Sequence, residues 1–354
     1  MYPTKRAWMS AALVGALALA TTACGTSAAK PAAPSTGPST TVSATNSPSI
    51  TIGLAAFNMA LTPPQIALQE GYFRQQGLSS VKVVRLNGSV VTAASLRNGS
   101  IQVALTGAAP FLTGQAKGLG LLAVATIDRG FTSSVLVTPK WAKAHPLPPN
   151  ASLAEKIQSL KGAVMGQVST TDLAVAKSML AYAKLPANSV HFLSVQNQED
   201  ELTALQHDQI DAAIFSPPQS FEAQAKGWAQ ILFNARDLPA LSSLPYDVVA
   251  TTPAFAKAHP NTLRKVLAAI EAGVATLNSR SPAVLQFEEK LNPGVPPDVV
   301  KATLDFIEMT PYTPMTAEQW QGLNQFLVSG GLLKQSYTMK EGVDWTNQFL
   351  PQKP

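Results

Sequence analysis

From residue 49 onward, short apolar runs alternate with stretches whose apolar residues recur at helical spacing. Residues 49–55, 81–86 and 101–105 read as strands. Between them, Thr62 followed by Pro63 opens a helix that would bury Ile66, Leu68 and Phe73 and stop at Gly77; residues 90–97 form the next helix. The same order returns as a strand at 163–168, a strand at 190–195, a helix through Leu205 and a strand at 210–215. An apolar run at 118–127 and β-rich runs at 133–137 and 247–251 read as further strands. The last third is helical, at 262–277, 283–291, 297–307 and 316–328. The final helix opens on a Thr316-x-x-Gln319 capping box, closes on Gly330-Gly331 and carries Trp320, Leu323 and Phe326 at core spacing. Strands alternating with helices predict an α/β fold of mostly parallel sheets with helices on both faces.

The middle of the chain also repeats itself at 109 residues. Gln115-Ala116-Lys117-Gly118 returns as Gln224-Ala225-Lys226-Gly227, and the same shift lays Leu96, Ile101 and Ala104 on Leu205, Ile210 and Ala213. In that register Gly53 pairs with Gly162, and Ser80-Val81 with Ser189-Val190. So long a period is one supersecondary unit used twice, as two lobes with a cleft between them. A second echo relates Val137-Thr138-Pro139 to Thr251-Thr252-Pro253, each leading into Ala-Lys-Ala-His-Pro. These are the expected strands by which the chain leaves and re-enters the first lobe, with His145 and His259 as simple helix ends. Lobe one is then 49–137 with 245–354, and lobe two 138–244, joined by two hinge crossings.

The first 48 residues differ in kind. Lys5 and Arg6 precede an apolar run at 7–20 too short to span a bilayer, the pattern of an export signal over residues 1–23. Leu19-Ala20-Thr21-Thr22-Ala23-Cys24 resembles a bacterial lipobox, with Thr21 where Leu is usual, which would make Cys24 the lipidated first residue. Residues 24–48 are nearly all Gly, Ser, Thr, Ala and Pro, a tether holding the domain roughly 25–30 Å from its anchor. Cys24 is the only cysteine, so no disulfide is available and a large packed core must hold the lobes. Beyond residue 48 the chain carries 23 basic and 21 acidic residues with no cationic stripe, which gives no reason to expect nucleic acid.

Residues 65–78, QIALQEGYFRQQGL, resemble the helix–Gly-Tyr-Phe–Gly-Leu segment of ABC-importer substrate-binding proteins, of the nitrate/sulfonate/taurine type and the related binders of thiamine pyrimidine precursors. Residues 96–104, LRNGSIQVA, are similar to a second segment of that family, with Gln102 in place of its Asp. Leu205 to Ala213 is the lobe-two counterpart, with Asp208 in place of Gly, and Leu160-Lys161-Gly162 resembles the entry to lobe two. The resemblance implies a two-lobed receptor of periplasmic-binding-protein type II, a monomer that hands a small solute to an ABC permease and its ATPase at the extracytoplasmic face. A lipoprotein reporting to a membrane sensor, and an exported enzyme on the same fold, are the alternatives.

In such sheets ligands sit beyond the carboxyl ends of the strands, at helix N-termini. That selects Phe57, Asn58, Ser89, Thr106, Gly107, Gln167, Ser169, Thr170, Thr171, Phe215 and Ser216 as candidate ligand contacts, the hydroxyls being equally readable as helix caps. Phe57, Phe111, Phe131 and Phe215 are pocket candidates, although aromatics so placed are more often core, and Arg129 is the nearest cation, with Asp128 beside it as a partner. His145, His191, His207 and His259 lack metal-ligand spacing, there is no nucleophile elbow or phosphate loop, and neither cofactor nor metal is expected. Glu199, Asp200 and Glu201 read as a solvated helix start.

Overall fold

The computed structural model describes residues 49–351 except 57, 87, 308 and 311. The expected leader and tether, with Cys24, lie outside the described residues. In chain order the strands are β1 (Ile50–Leu54), β2 (Val81–Arg85), β3 (Val103–Gly107), β4 (Leu122–Thr126), β5 (Ser134–Val137), β6 (Val164–Gln167), β7 (His191–Ser194), β8 (Ala212–Phe215), β9 (Gln230–Asn234) and β10 (Asp247–Thr251). They make two five-stranded sheets, ordered β2-β1-β3-β10-β4 and β7-β6-β8-β5-β9. β1 pairs in parallel with β2 and β3, and β6 with β7 and β8. One antiparallel strand is inserted in each sheet, β10 in the first and β5 in the second. This is the expected α/β class, with two mostly parallel sheets.

One boundary moves. Residues 134–137 were expected to close lobe one, yet β5 pairs with β8 and β9 in the second sheet. Its place there mirrors that of β10: Ser134 faces Phe215 as Val248 faces Thr106. The outward crossing therefore lies between Thr126 and Ser134, and the return between Asn234 and Asp247. The crossings run side by side, with Gly130 N–H on Leu244 O at 2.9 Å and Ala235 N–H on Ser133 O at 2.8 Å.

The repeat holds for the second half of each unit and slips in the first. Helix Ser89–Arg97 returns as Gln198–Gln206, and Val103 as Ala212, each 109 residues on. β1 and β6 break that register, so Gly53 does not correspond to Gly162. Gly162 is a turn residue at φ +83, whereas Gly53 lies within β1, where an added Cβ would meet Ile101 Cδ1 at 2.6 Å. Its counterpart is Gly166, where a Cβ would meet Ile210 Cδ1 at 2.8 Å. The first unit spends more chain between its opening strands, on helices Pro63–Gln69 and Tyr72–Gln75, than the second does on Thr170–Tyr182.

The two departures from the family pattern have physical explanations. Gln102 Oε1 accepts from Thr51 N–H at 2.8 Å, as Asp211 Oδ2 accepts from Val164 N–H at 2.9 Å, so the amide does the carboxylate's work of tying adjacent strands. Asp208 sits at φ +53, and its counterpart Gly99 at φ +77, so the backbone there needs a left-handed residue. We expect Asp208→Ala to cost about 1 kcal/mol, and Asp208→Gly to be neutral or stabilising by up to about 0.5 kcal/mol, in denaturant unfolding. A glycine variant as destabilised as the alanine one would refute the backbone explanation.

The C-terminal helix, Ala317–Ser329, opens with the expected Thr316/Gln319 capping box and packs toward both sheets. Trp320 lies 6.1 Å from Phe111, and Phe326 lies 4.9 Å, edge-on, from Phe131. At its end Gly330 meets helix Thr170–Tyr182 so closely that a Cβ would lie 2.3 Å from Ala174 Cβ, and Lys177 Nζ donates to Gly330 O at 3.0 Å. One buried cluster thus runs from Leu112 and Phe131 through Trp320 and Leu327 to Val175 and Met179.

Candidate functional site

The strand ends bring three of the expected contacts together. Thr106, near the end of β3, donates through Oγ1 to Ser89 Oγ at 3.1 Å. Ser89 opens helix Ser89–Arg97 behind Gly88 at φ +97; no side chain caps that helix and no acid sits in its first turn. Thr171 stands in the first turn of helix Thr170–Tyr182, on the second sheet's side. All three line one cavity of about 510 Å³, together with Phe111, Leu327 and Leu332. Its wall therefore draws on the first sheet, on a second-sheet helix and on the C-terminal helix.

The remaining expected contacts have other duties. Asn58 accepts from Leu61 N–H at 3.1 Å and caps a short 3-10 turn. Ser169 forms a full capping box with Asp172, its hydroxyl donating to Asp172 Oδ2 at 2.6 Å, so its hydroxyl is spent on the helix. Gln167 Nε2 donates to Ser169 O at 3.0 Å, and Gly107 forms the extended entry to helix Ala108–Gln115. Ser216 follows β8 and hydrogen-bonds to the Tyr246 hydroxyl. Phe215 is a correction: it is fully buried among Leu136, Leu205 and Ala213, because inward alternation of β8 turns it into the core of the second sheet. Phe57 and the Thr170 side chain lie outside the described residues.

The crossing strands hold an acidic pair, Asp128 and Asp247. The expected partner of Asp128 is Arg129, but its Oδ1 accepts from Asp247 N–H at 2.7 Å instead. Both carboxyls are buried, and Oδ2 of each has no hydrogen-bond partner. Burial, then the neighbouring Asp247 charge, holds Asp128 well above the ordinary carboxylate range, and burial raises Asp247 too. Two carboxyls so placed disfavour each other's charge. Burial first, then Asp247, pushes the adjoining Tyr246 hydroxyl up to about 12. The pair is a structural lock between the crossings, beside Gly107.

Glu201 is a second correction. It was expected to be solvated, yet it is 1% exposed, and neither carboxylate oxygen has a hydrogen-bond partner. It packs on Gly166, where a Cβ would lie 2.7 Å from Glu201 Oε1. Burial, with a smaller contribution from Asp172, lifts its carboxyl from 4.5 to about 8.

Chemically, the cavity offers neutral hydroxyls and apolar wall. Ser89 Oγ receives its hydrogen bond from a hydroxyl rather than facing a base that could activate it as a nucleophile. Among the described residues no group of His, Cys, Asp and Glu is arranged to hold a metal ion, and no helix is long and apolar enough to cross a membrane. What sequence reasoning missed is the far wall: Leu327 enters from the C-terminal helix, whose stripe was legible as core but not as a lining, and Leu332 from the turn that follows it.

Comparison with curated protein sequences gives no match. Solved structures share the fold. The alkanesulfonate-binding protein SsuA from Xanthomonas axonopodis pv. citri, bound to MOPS, matches at 20% identity over 80% of this chain and 94% of its own, with a TM-score of 0.62. The periplasmic aliphatic sulphonate binding protein SsuA from Escherichia coli matches at 19% identity over 87% and 93%, with a TM-score of 0.67. The desulfurization enzyme DSZB matches at 14% identity over 81% and 94%, with a TM-score of 0.57, so this fold carries catalysis as well as binding. Residues 58–280, more than half the sequence and spanning both sheets, match the NMT1/THI5-like family, and the chain belongs to that family.

Proposed function

We propose that the chain is the solute-binding receptor of an ABC importer. Processing at Cys24 would leave it lipid-anchored outside the cell membrane, on the tether of residues 24–48. Lobe one comprises the chain up to the first crossing and everything after the second; lobe two lies between. The lobes close over a small solute, organic or anionic, and present it as a monomer to the permease and its ATPase. The observation that carries this reading is the cavity wall: Ser89 and Thr106 come from one lobe and Thr171 from the other. Contacts made from both sides are complete only when the lobes are together, so a bound solute is worth more in the closed state and shifts the population toward it.

Thermal unfolding against a solute panel tests this. A bound compound at ~100 times its dissociation constant should add about 2.7 kcal/mol to stability. The same compound, loaded on the chain, should stimulate ATP hydrolysis by the reconstituted permease. Binding without such stimulation would favour the sensor reading, conversion of the compound would favour an enzyme, and a panel without effect would count against all three. Cys24→Ser should release the chain from the membrane fraction.

A further inference from the structure

We propose that the solute is an elongated amphipathic acid, its apolar body lying in the cavity and its acid group at the cationic end, beside Arg97 and Lys117. This rests on the receptor reading above and narrows it. The cavity follows helix Ser89–Arg97, whose first and last residues both line it, a span of about 12 Å at 1.5 Å per residue. Its two ends differ. At one end stand the Ser89, Thr106 and Thr171 hydroxyls, and at the other Arg97 closes the helix, with Lys117 just past helix Ala108–Gln115. Both cations are exposed, and among the described residues neither has an ion-pair partner. Among the described residues no acid lines the wall.

Between the ends the lining is apolar, including Ala93, Leu96, Pro110, Phe111, Leu119 and Leu327. Val90, beside Ser89 at the hydroxyl end, is 85% exposed, an apolar surface that a solute would cover. Both hydroxyls of the middle are already satisfied, Thr92 by Gly88 O at 2.9 Å and Thr113 by Ala109 O at 2.8 Å, so the middle has no hydroxyl proton to offer. The volume, about 510 Å³, is over three times the ~150 Å³ of an apolar cavity that holds one benzene. A nitrate or taurine ion would leave most of this wall without contact atoms, and an amine would meet two cations and no acid. An acid with a chain or ring body of about ten heavy atoms satisfies the cationic end, the walls and, through a terminal polar group, the hydroxyl end.

The test is isothermal titration of the full chain carrying Cys24→Ser, which removes the lipid attachment point, purified without detergent. Octanoate and 4-phenylbutanoate are the probes; octan-1-ol, octylamine, nitrate and taurine are the comparisons. Both acids should bind and octylamine should not. The double variant Arg97→Gln/Lys117→Gln, confined to exposed side chains, should weaken the acids about five- to tenfold and leave octan-1-ol unchanged. Ala93→Phe, which fills the cavity, should weaken all apolar-bodied probes at least about tenfold. If nitrate or taurine binds while both acids fail, the receptor reading survives and this inference falls. If nothing binds, both fall. If the acids bind equally well to both variants, they bind elsewhere and the inference is overturned.

Discussion

Glu201→Gln is expected to make the protein more stable at pH 8 and to flatten its stability profile from about pH 4.5 to pH 8. The carboxyl is buried against Gly166 with both oxygens unpartnered, and burial raises it from 4.5 to about 8. The folded state therefore holds a proton that the unfolded chain releases near pH 4.5. A raised carboxyl contributes stability that is fully present below the unfolded value and is lost as pH climbs through the folded one. At about 1.4 kcal/mol per unit the whole effect is about 5 kcal/mol, about 4 kcal/mol of it expressed at pH 8, of which an unsatisfied glutamine amide would forfeit about 1–3 kcal/mol. The net gain at pH 8 should thus be about 1–3 kcal/mol, with little change or a small loss at pH 5. Denaturant unfolding of both proteins at a series of pH values reads it directly. Glu288, lifted to about 7 by burial, and the Asp128–Asp247 pair leave a residual slope of the same sign in the variant. An unchanged profile in Glu201→Gln would mean that Glu201 is ionised and hydrated at neutral pH.

Glu201 also marks what the sequence could and could not disclose. It sits in a run of three acids behind a capping Asn197, and hydropathy alone makes such a run a solvated first turn. Its burial follows from a non-local fact, the missing Cβ at Gly166, which opens room beneath the helix. The 109-residue repeat was legible because helix Ser89–Arg97 and helix Gln198–Gln206 keep the same spacing to their strands. Its slip at β1 and β6 was not, because Gly162 offered a glycine at the unbroken spacing although it belongs to a turn. The sheet assignment of β5 was hidden for a related reason: an antiparallel strand between two parallel ones is chosen by its neighbours, not by its own residues. In the site, Ser89, Thr106 and Thr171 lie at or just beyond strand ends and could be found by rule. Leu327 and Leu332 join them from more than 150 residues away in the chain, and no local pattern distinguishes a lining leucine from a core one.

The largest single loss of stability is expected from Trp320→Ala. Trp320 is 1% exposed in the cluster that joins the C-terminal helix to both sheets, and its ring faces Phe111 at 6.1 Å. Removing so large a buried side chain costs about 3–5 kcal/mol, since the lost contacts add to an unfilled cavity. Trp320→Phe makes the informative contrast. The indole Nε1–H has no hydrogen-bond partner, so phenylalanine keeps most of the packing and removes an unsatisfied donor; it should cost less than about 1.5 kcal/mol. Equal losses in the two variants would show that the indole nitrogen, not the packed volume, is what the site needs. The effect should also reach binding. Phe111, against which Trp320 packs, and Leu327, two turns further along the same helix, both wall the cavity. Loosening that helix in Trp320→Ala should therefore weaken solute binding under conditions where the variant is still folded. Trp320→Phe should bind as the unaltered chain does, because the wall is held in place by the ring's bulk.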